Sequence, residues 1–182
     1  MKIWRNILVM TFAVLSFNSC SSDEPQWADP EAHEKTEQLR EQYIPFIVGS
    51  WHIEGIGDKL RFFEQLTFDT DGTLTGFRKW QTRQVVTIDG KEQYTDWENN
   101  TPTNGNFTGT WSLVWERNDK GVGEKRLFLY AQYDETDIVS YLPYSHIALF
   151  DYADATTLSF AGYWQDSDGW TNYERGRAEP SF

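Results

Sequence analysis

Apolar and polar positions change rhythm three times along the chain. Ile7 to Phe17 is a short, nearly unbroken apolar run behind Lys2 and Arg5. It falls well short of the roughly 18–20 apolar residues that cross a bilayer. A basic start, a brief apolar core and small residues at its end describe a secretory leader. Residues 21–29, SSDEPQWAD, then read as a polar tether. Asp29 has the character of a helix N-cap and Pro30 that of a first helical residue. EAHEKTEQLREQYI follows, acidic early and with Arg40 late, as a helix dipole favours. Leu39 and Tyr43 lie four apart and can dock one face. The spacing predicts a helix over 30–43, closed by Pro45, so that 30–45 forms a leading segment.

From Phe46 onward the period falls to two. Turn signals recur at Asp71-Gly72, Asp89-Gly90, Asn104-Gly105, Asp119-Lys120-Gly121 and Asp168-Gly169. Short alternating runs between such turns predict an antiparallel sandwich or barrel. Neither a strand–helix alternation nor a repeat of fixed length appears, and residues 98–106 read as a polar loop.

One hairpin can be set in register from its turn. Thr70-Asp71-Gly72 suits a three-residue loop with glycine in the left-handed position. Asp69 then faces Thr73, and the partners run Phe68–Leu74, Leu66–Gly76, Glu64–Arg78, Phe62–Trp80 and Leu60–Thr82. Side chains alternate, so these residues share one face. An inward Glu64–Arg78 pair would line the interior, and burying two charges rarely stabilises a fold; it would point to a ligand contact or a wet cavity. The alternative is a pair at an open end, or one turned outward by a bulge. Elsewhere Phe107, Gly109, Trp111, Leu113 and Trp115 alternate with Thr108, Thr110, Ser112 and Val114. Leu127–Tyr133 is apolar on both faces, which implies cover from the helix or a partner. Leu158, Phe160, Gly162 and Trp164 share a face, and Thr171, Tyr173 and Arg175 alternate with Trp170, Asn172 and Glu174.

Charge removes some functions. Two of the 16 basic residues lie in the leader, so the chain from residue 20 carries 14 against 28 acids, a net charge of −14. Such a chain repels phosphate backbones, which argues against nucleic acid as a partner. Aromatic residues make up 16% of the sequence, a share that suits pleated sheet. The single cysteine, Cys20, rules out an internal disulfide.

Cys20 sits where the apolar run ends, with Ser19 before it. This arrangement resembles a bacterial lipoprotein signal, in which cleavage precedes the cysteine and the new terminus is lipidated. The resemblance implies a leader over 1–19, a lipidated tether over 20–29 and attachment to a membrane through Cys20. One acyl chain holds only marginally, at roughly 0.8 kcal/mol per buried CH2, whereas two or three anchor firmly. Asp23 and Glu24 resemble the acidic export signal of surface lipoproteins in Bacteroides-type bacteria, which implies an outer-membrane, cell-surface location.

The strand region carries a second resemblance. It opens on Val48-Gly49-Ser50-Trp51-His52-Ile53 and closes on Tyr173-Glu174-Arg175-Gly176. With LTFDTDGTLTG, GTWSL, LFLY and TTLSF between them, this order is similar to the lipocalin-like, or calycin, lipoproteins of Bacteroides-type bacteria over residues 47–176. The resemblance implies an all-β fold over 46–182, an antiparallel up-and-down barrel of about eight strands preceded by one helix. It implies that Trp51 packs beneath Arg175 as a structural plug at the closed end, with Arg177 the other cation available for that place. It also implies a small-molecule ligand inside, apolar or carbohydrate-like.

Other chemistry finds little support. His33, His52 and His146 lack zinc spacing, and no nucleophile elbow or phosphate loop occurs. Asp69-Thr70-Asp71-Gly72 starts like a calcium loop but runs straight into strand. The expectation is a non-catalytic protein without cofactor or metal. Candidate ligand contacts are Glu64, Arg78, Trp80, Trp97, Trp111, Trp115, Tyr133 and Trp164, and ordinary core packing is the alternative for each. A scaffold role through the outer face, or a hydrolase on the same barrel, are the competing functions.

Overall fold

The computed structural model describes residues 28–99, 104–133, 144–161 and 169–182, with side chains for all of these except 131–133, 144 and 145. The leader, Cys20 and Trp164 lie outside the described residues, and Tyr133 is described by its backbone alone. Among the described residues one helix, α1 (Pro30–Ile47), precedes eleven strands. They are β1 (Gly49–Ile56), β2 (Leu60–Phe68), β3 (Thr73–Thr82), β4 (Val85–Ile88), β5 (Lys91–Tyr94), β6 (Glu98–Asn99), β7 (Gly105–Arg117), β8 (Gly123–Tyr133), β9 (Tyr144–Ala153), β10 (Thr157–Ala161) and β11 (Trp170–Arg175).

Eight strands close an antiparallel barrel in the order β1-β2-β3-β7-β8-β9-β10-β11, with β11 returning to β1. The expected all-β, lipocalin-like barrel with one helix before it is the observed fold. Strand β6 pairs only with the end of β3, at Gln81 and Thr82, and β4–β5 form a separate hairpin. That hairpin is tied to the barrel by stacked charges and rings. The Arg83 guanidinium packs against Tyr94 and Trp97, and that of Arg61 against Trp97 and Phe182.

The β2–β3 register matches the sequence reading pair for pair, from Leu60–Thr82 to Phe68–Leu74. Gly72 supplies the left-handed residue at φ 86°, and Asp71 accepts from the Thr73 amide at 2.8 Å. At the helix start the Asp29 carboxylate accepts from the Ala32 amide at 3.0 Å, next to Pro30 in the first turn. Hydrogen bonds from that amide, with Arg117 alongside, hold the Asp29 carboxyl below the ordinary range.

The helix does not stop at Pro45. It runs on to Ile47, with Pro45 inside its last turn. A proline here forfeits only the bond to the Glu41 carbonyl, and Glu41 is exposed. Ile47 is fully buried and repays the extra turn by packing. The leading segment therefore ends two residues later than the 30–45 expected, and the sheet begins at Gly49.

Helix α1 covers one end of the barrel. Leu39 and Ile47 join the core, and the Tyr43 ring meets Phe150 edge-on at 5.0 Å. Thr36 and Arg40 donate to the Trp115 and Leu113 carbonyls at 3.2 and 2.9 Å. Inside that end, Trp51, Leu66, Phe68, Leu74, Leu113 and Leu127 are buried. The chain after β11 folds over the outside of β1–β3. Ala178 donates its amide to Gln65, Ser181 donates to Glu54, and Lys79 bonds the Phe182 carbonyl. This strap explains why Phe63, an outward residue by alternation, is buried.

Candidate functional site

Two clusters are built by residues far apart in sequence, one capping the α1 end of the barrel and one inside it, farther along. The first is the plug under α1. Trp51 on β1 pairs with Arg175 on β11, and the guanidinium carbon stands 4.9 Å from the centre of the indole. Attraction between a cation and an aromatic face favours that stacking. The indole N–H donates to the Ile47 carbonyl at 2.7 Å, while Arg175 donates to the Phe46 and Val48 carbonyls at 2.6 and 3.0 Å. Orphan carbonyls at a helix end need such donors. Gly49 is required here on two counts: its φ is 126°, and a Cβ would sit 3.1 Å from the Arg175 guanidinium. Arg177 instead reaches Ser50 on the outside. The cluster is structural, a latch joining helix, first strand and last strand.

The second cluster lies farther along the barrel, toward the end opposite α1. Glu64 on β2 and Arg78 on β3 face inward and are 0% and 1% exposed. Arg78 donates through Nε at 2.7 Å, and through Nη2, to Glu64 Oε2. Tyr173 on β11 donates its hydroxyl to Glu64 Oε1 at 2.7 Å. Both carboxylate oxygens are therefore engaged, from strands on either side. The Tyr173 ring stacks on Phe160 of β10 at 5.0 Å. His146 of β9 meets Phe160 at 6.1 Å, and its Nε2 lies 3.2 Å from the Ala161 carbonyl. Burial pushes the His146 ring below the ordinary histidine value, against the opposing pull of that carbonyl and of Glu64. Burial thus disfavours the charged imidazole next to the Glu64–Arg78 pair.

The inward orientation decides between the two sequence readings of Glu64–Arg78. The pair is neither at an open end nor turned out, because Leu66–Gly76 and Phe62–Trp80 continue the same register on both sides of it. Gly76, the next inward position of β3, makes room for the Phe107 ring of β7. A Cβ there would lie 2.3 Å from the Phe107 ring and 2.6 Å from the Gln65 carbonyl.

No protein-family model, curated protein or solved structure matches the chain.

The remaining candidates scatter. Trp80 shares the inward face of β3 and is anchored through its backbone, whose amide and carbonyl both bond the Asn104 side chain. Trp111 belongs to the opposite end: its indole donates to the Asp69 carbonyl at 3.0 Å and its ring meets Phe68 edge-on. Trp115 lies beneath Lys35 of α1, at the rim of that same end. Trp97 is outside the barrel, between Arg61 and Arg83. The described structure thus brings Glu64, Arg78 and Trp80 to one face and takes Trp97, Trp111 and Trp115 away from them. Tyr173, His146 and Thr171 were missed. The signal for two of them is present, because Thr171 and Tyr173 share the β11 face from which Arg175 reaches the fully buried Trp51. Among the described residues no three His, Cys, Asp or Glu side chains converge as a metal site would need.

Proposed function

We propose that this chain is a lipid-anchored cell-envelope protein of the lipocalin-like family. Its barrel binds a small molecule, apolar or carbohydrate-like, through the inward residues toward the end opposite α1, and it performs no catalysis. One observation carries the reading: the fully buried Glu64–Arg78–Tyr173 network. Hydrophobic residues of similar volume would hold a barrel at least as well, since taking two charges out of water costs more than most buried pairs return. A polar network in an interior otherwise built of Leu, Phe and Trp is better accounted for by a molecule that it orients.

Cys20 with Ser19 before it, followed by Asp23 and Glu24, supports attachment to the outer membrane and display on the cell surface. Two experiments test the proposal. Organic extraction of protein purified undenatured from its own membranes should release one small molecule enriched over an unrelated lipoprotein; matching extracts would refute it. Incorporation of labelled lipid should vanish in Cys20→Ala, and unchanged membrane association of that variant would remove the anchor.

A second reading is an interaction module of an envelope assembly. The outer face of β8 and β9 exposes Tyr130, Ile147 and Leu149, side by side and beyond the reach of α1. Cross-linking on intact cells tests it, and a partner at near-native abundance is the expected result.

A further inference from the structure

Among the described residues, Thr171 carries a buried hydroxyl that the fold itself does not use. Its side chain is 2% exposed, and its hydroxyl has no hydrogen-bond partner among the described residues. Its direction is fixed by its strand. Alternate residues of β11 share a face, Tyr173 reaches Glu64 and Arg175 covers Trp51, so Thr171 also points inward. It is the one of the three farthest from α1. Opposite it on β10 stands Phe160. On the other side, the ladder between β1 and β11 runs through Trp51–Arg175 and His52–Glu174 and has no further pair among the described residues. Gly55 of β1 lies under the Phe62 ring, whose nearest carbon would stand 2.4 Å from a Cβ there. Phe62 is paired in turn with Trp80.

A threonine hydroxyl carries one donor and two acceptor sites. Buried and unsatisfied, it destabilises the fold, whereas valine has the same shape, no such cost and an equal preference for strands. The hydroxyl therefore calls for a partner beyond the described residues. Charge says which kind. Glu64 and Arg78 pair with one another, and burial disfavours charge on His146. An ionic ligand would bring an uncompensated charge into a desolvated site. Aromatic rings at Phe62, Trp80 and Phe160 offer apolar walls to a molecule that also hydrogen-bonds.

We infer that the barrel's ligand is a neutral, hydroxyl-bearing small molecule of the saccharide class, and that Thr171 is a specificity-determining residue that hydrogen-bonds one of its hydroxyl groups. This rests on the small-ligand reading above and narrows it. The test uses the full chain, wild type and Thr171→Val, titrated by calorimetry with a panel of neutral mono- and disaccharides and separately with oleate. A saccharide should bind, and Thr171→Val should weaken it roughly tenfold, the loss of one buried hydrogen bond. The ligand-free variant should melt no lower than wild type, which separates recognition from folding. Unchanged saccharide affinity in Thr171→Val would overturn the inference. Oleate binding without saccharide binding would overturn it too, while leaving a small-ligand barrel standing; binding of neither would overturn both.

Discussion

Removing one member of the buried ion pair should be far worse than removing all of it. Arg78→Met strands a carboxylate that is 0% exposed, with only the Tyr173 hydroxyl left of the three donations described. Uncompensated buried charges of this kind cost about 3–5 kcal/mol. Glu64→Leu strands the guanidinium and should cost a similar amount. The variant that replaces the whole network, Glu64→Leu/Arg78→Met/Tyr173→Phe, leaves no stranded group and approximately conserves volume. It should lie within about 1 kcal/mol of wild type, or above it, because apolar replacement of buried pairs is commonly neutral or stabilising. Urea unfolding followed by tryptophan fluorescence reads this directly. With a slope of roughly 2 kcal/mol per M, the single variants should lose about 2 M in midpoint and the combined variant almost nothing. If the combined variant instead loses as much as the single ones together, the network is a structural pin and its link to ligand binding falls.

Three further outcomes follow from the packing. Trp51→Ala should cost about 3–5 kcal/mol in urea unfolding, because a fully buried indole beneath Arg175 is removed and the helix end loses a donor. Gly76→Ala should destabilise by about 1–3 kcal/mol or more, since its Cβ would lie 2.6 Å from the Gln65 carbonyl, which as backbone cannot give way; an unshifted midpoint would contradict that. Burial lowers the folded-state pKa of His146 below the ordinary histidine value, so the unfolded chain binds its proton first. Its contribution is complete above about pH 6.5 and is lost as pH falls toward the folded value, so His146→Leu should show a shallower loss of stability in that window.

The parts of this fold that could be read in advance are those set by local rules. Asp71-Gly72 fixes one turn, and a period of two then carries the register nine pairs down the hairpin without error. Asp29-Pro30 fixes the helix start by the same kind of local chemistry. The helix end was misread because Pro45 is a local signal, and burial of Ile47 outweighs it. Side-chain direction at Glu64–Arg78 is a further case: charge argues for the outside, while the strand period commits the pair to the face of Leu66 and Phe68. Tryptophan content could not say which end of the barrel each ring serves, since Trp80 and Trp111 look alike until strand stagger separates them. The strap of 177–182 over β1–β3 had no periodic signature, and with it went the burial of Phe63.

The central claim is that the network toward the far end of the barrel exists to hold a small molecule. A crystal structure of protein purified undenatured from its own membranes tests this most directly. The account predicts density for a non-protein molecule inside the barrel, within about 3 Å of the Thr171 hydroxyl and beside the Glu64–Arg78–Tyr173 network. An interior accounted for wholly by side chains and ordered water would contradict it.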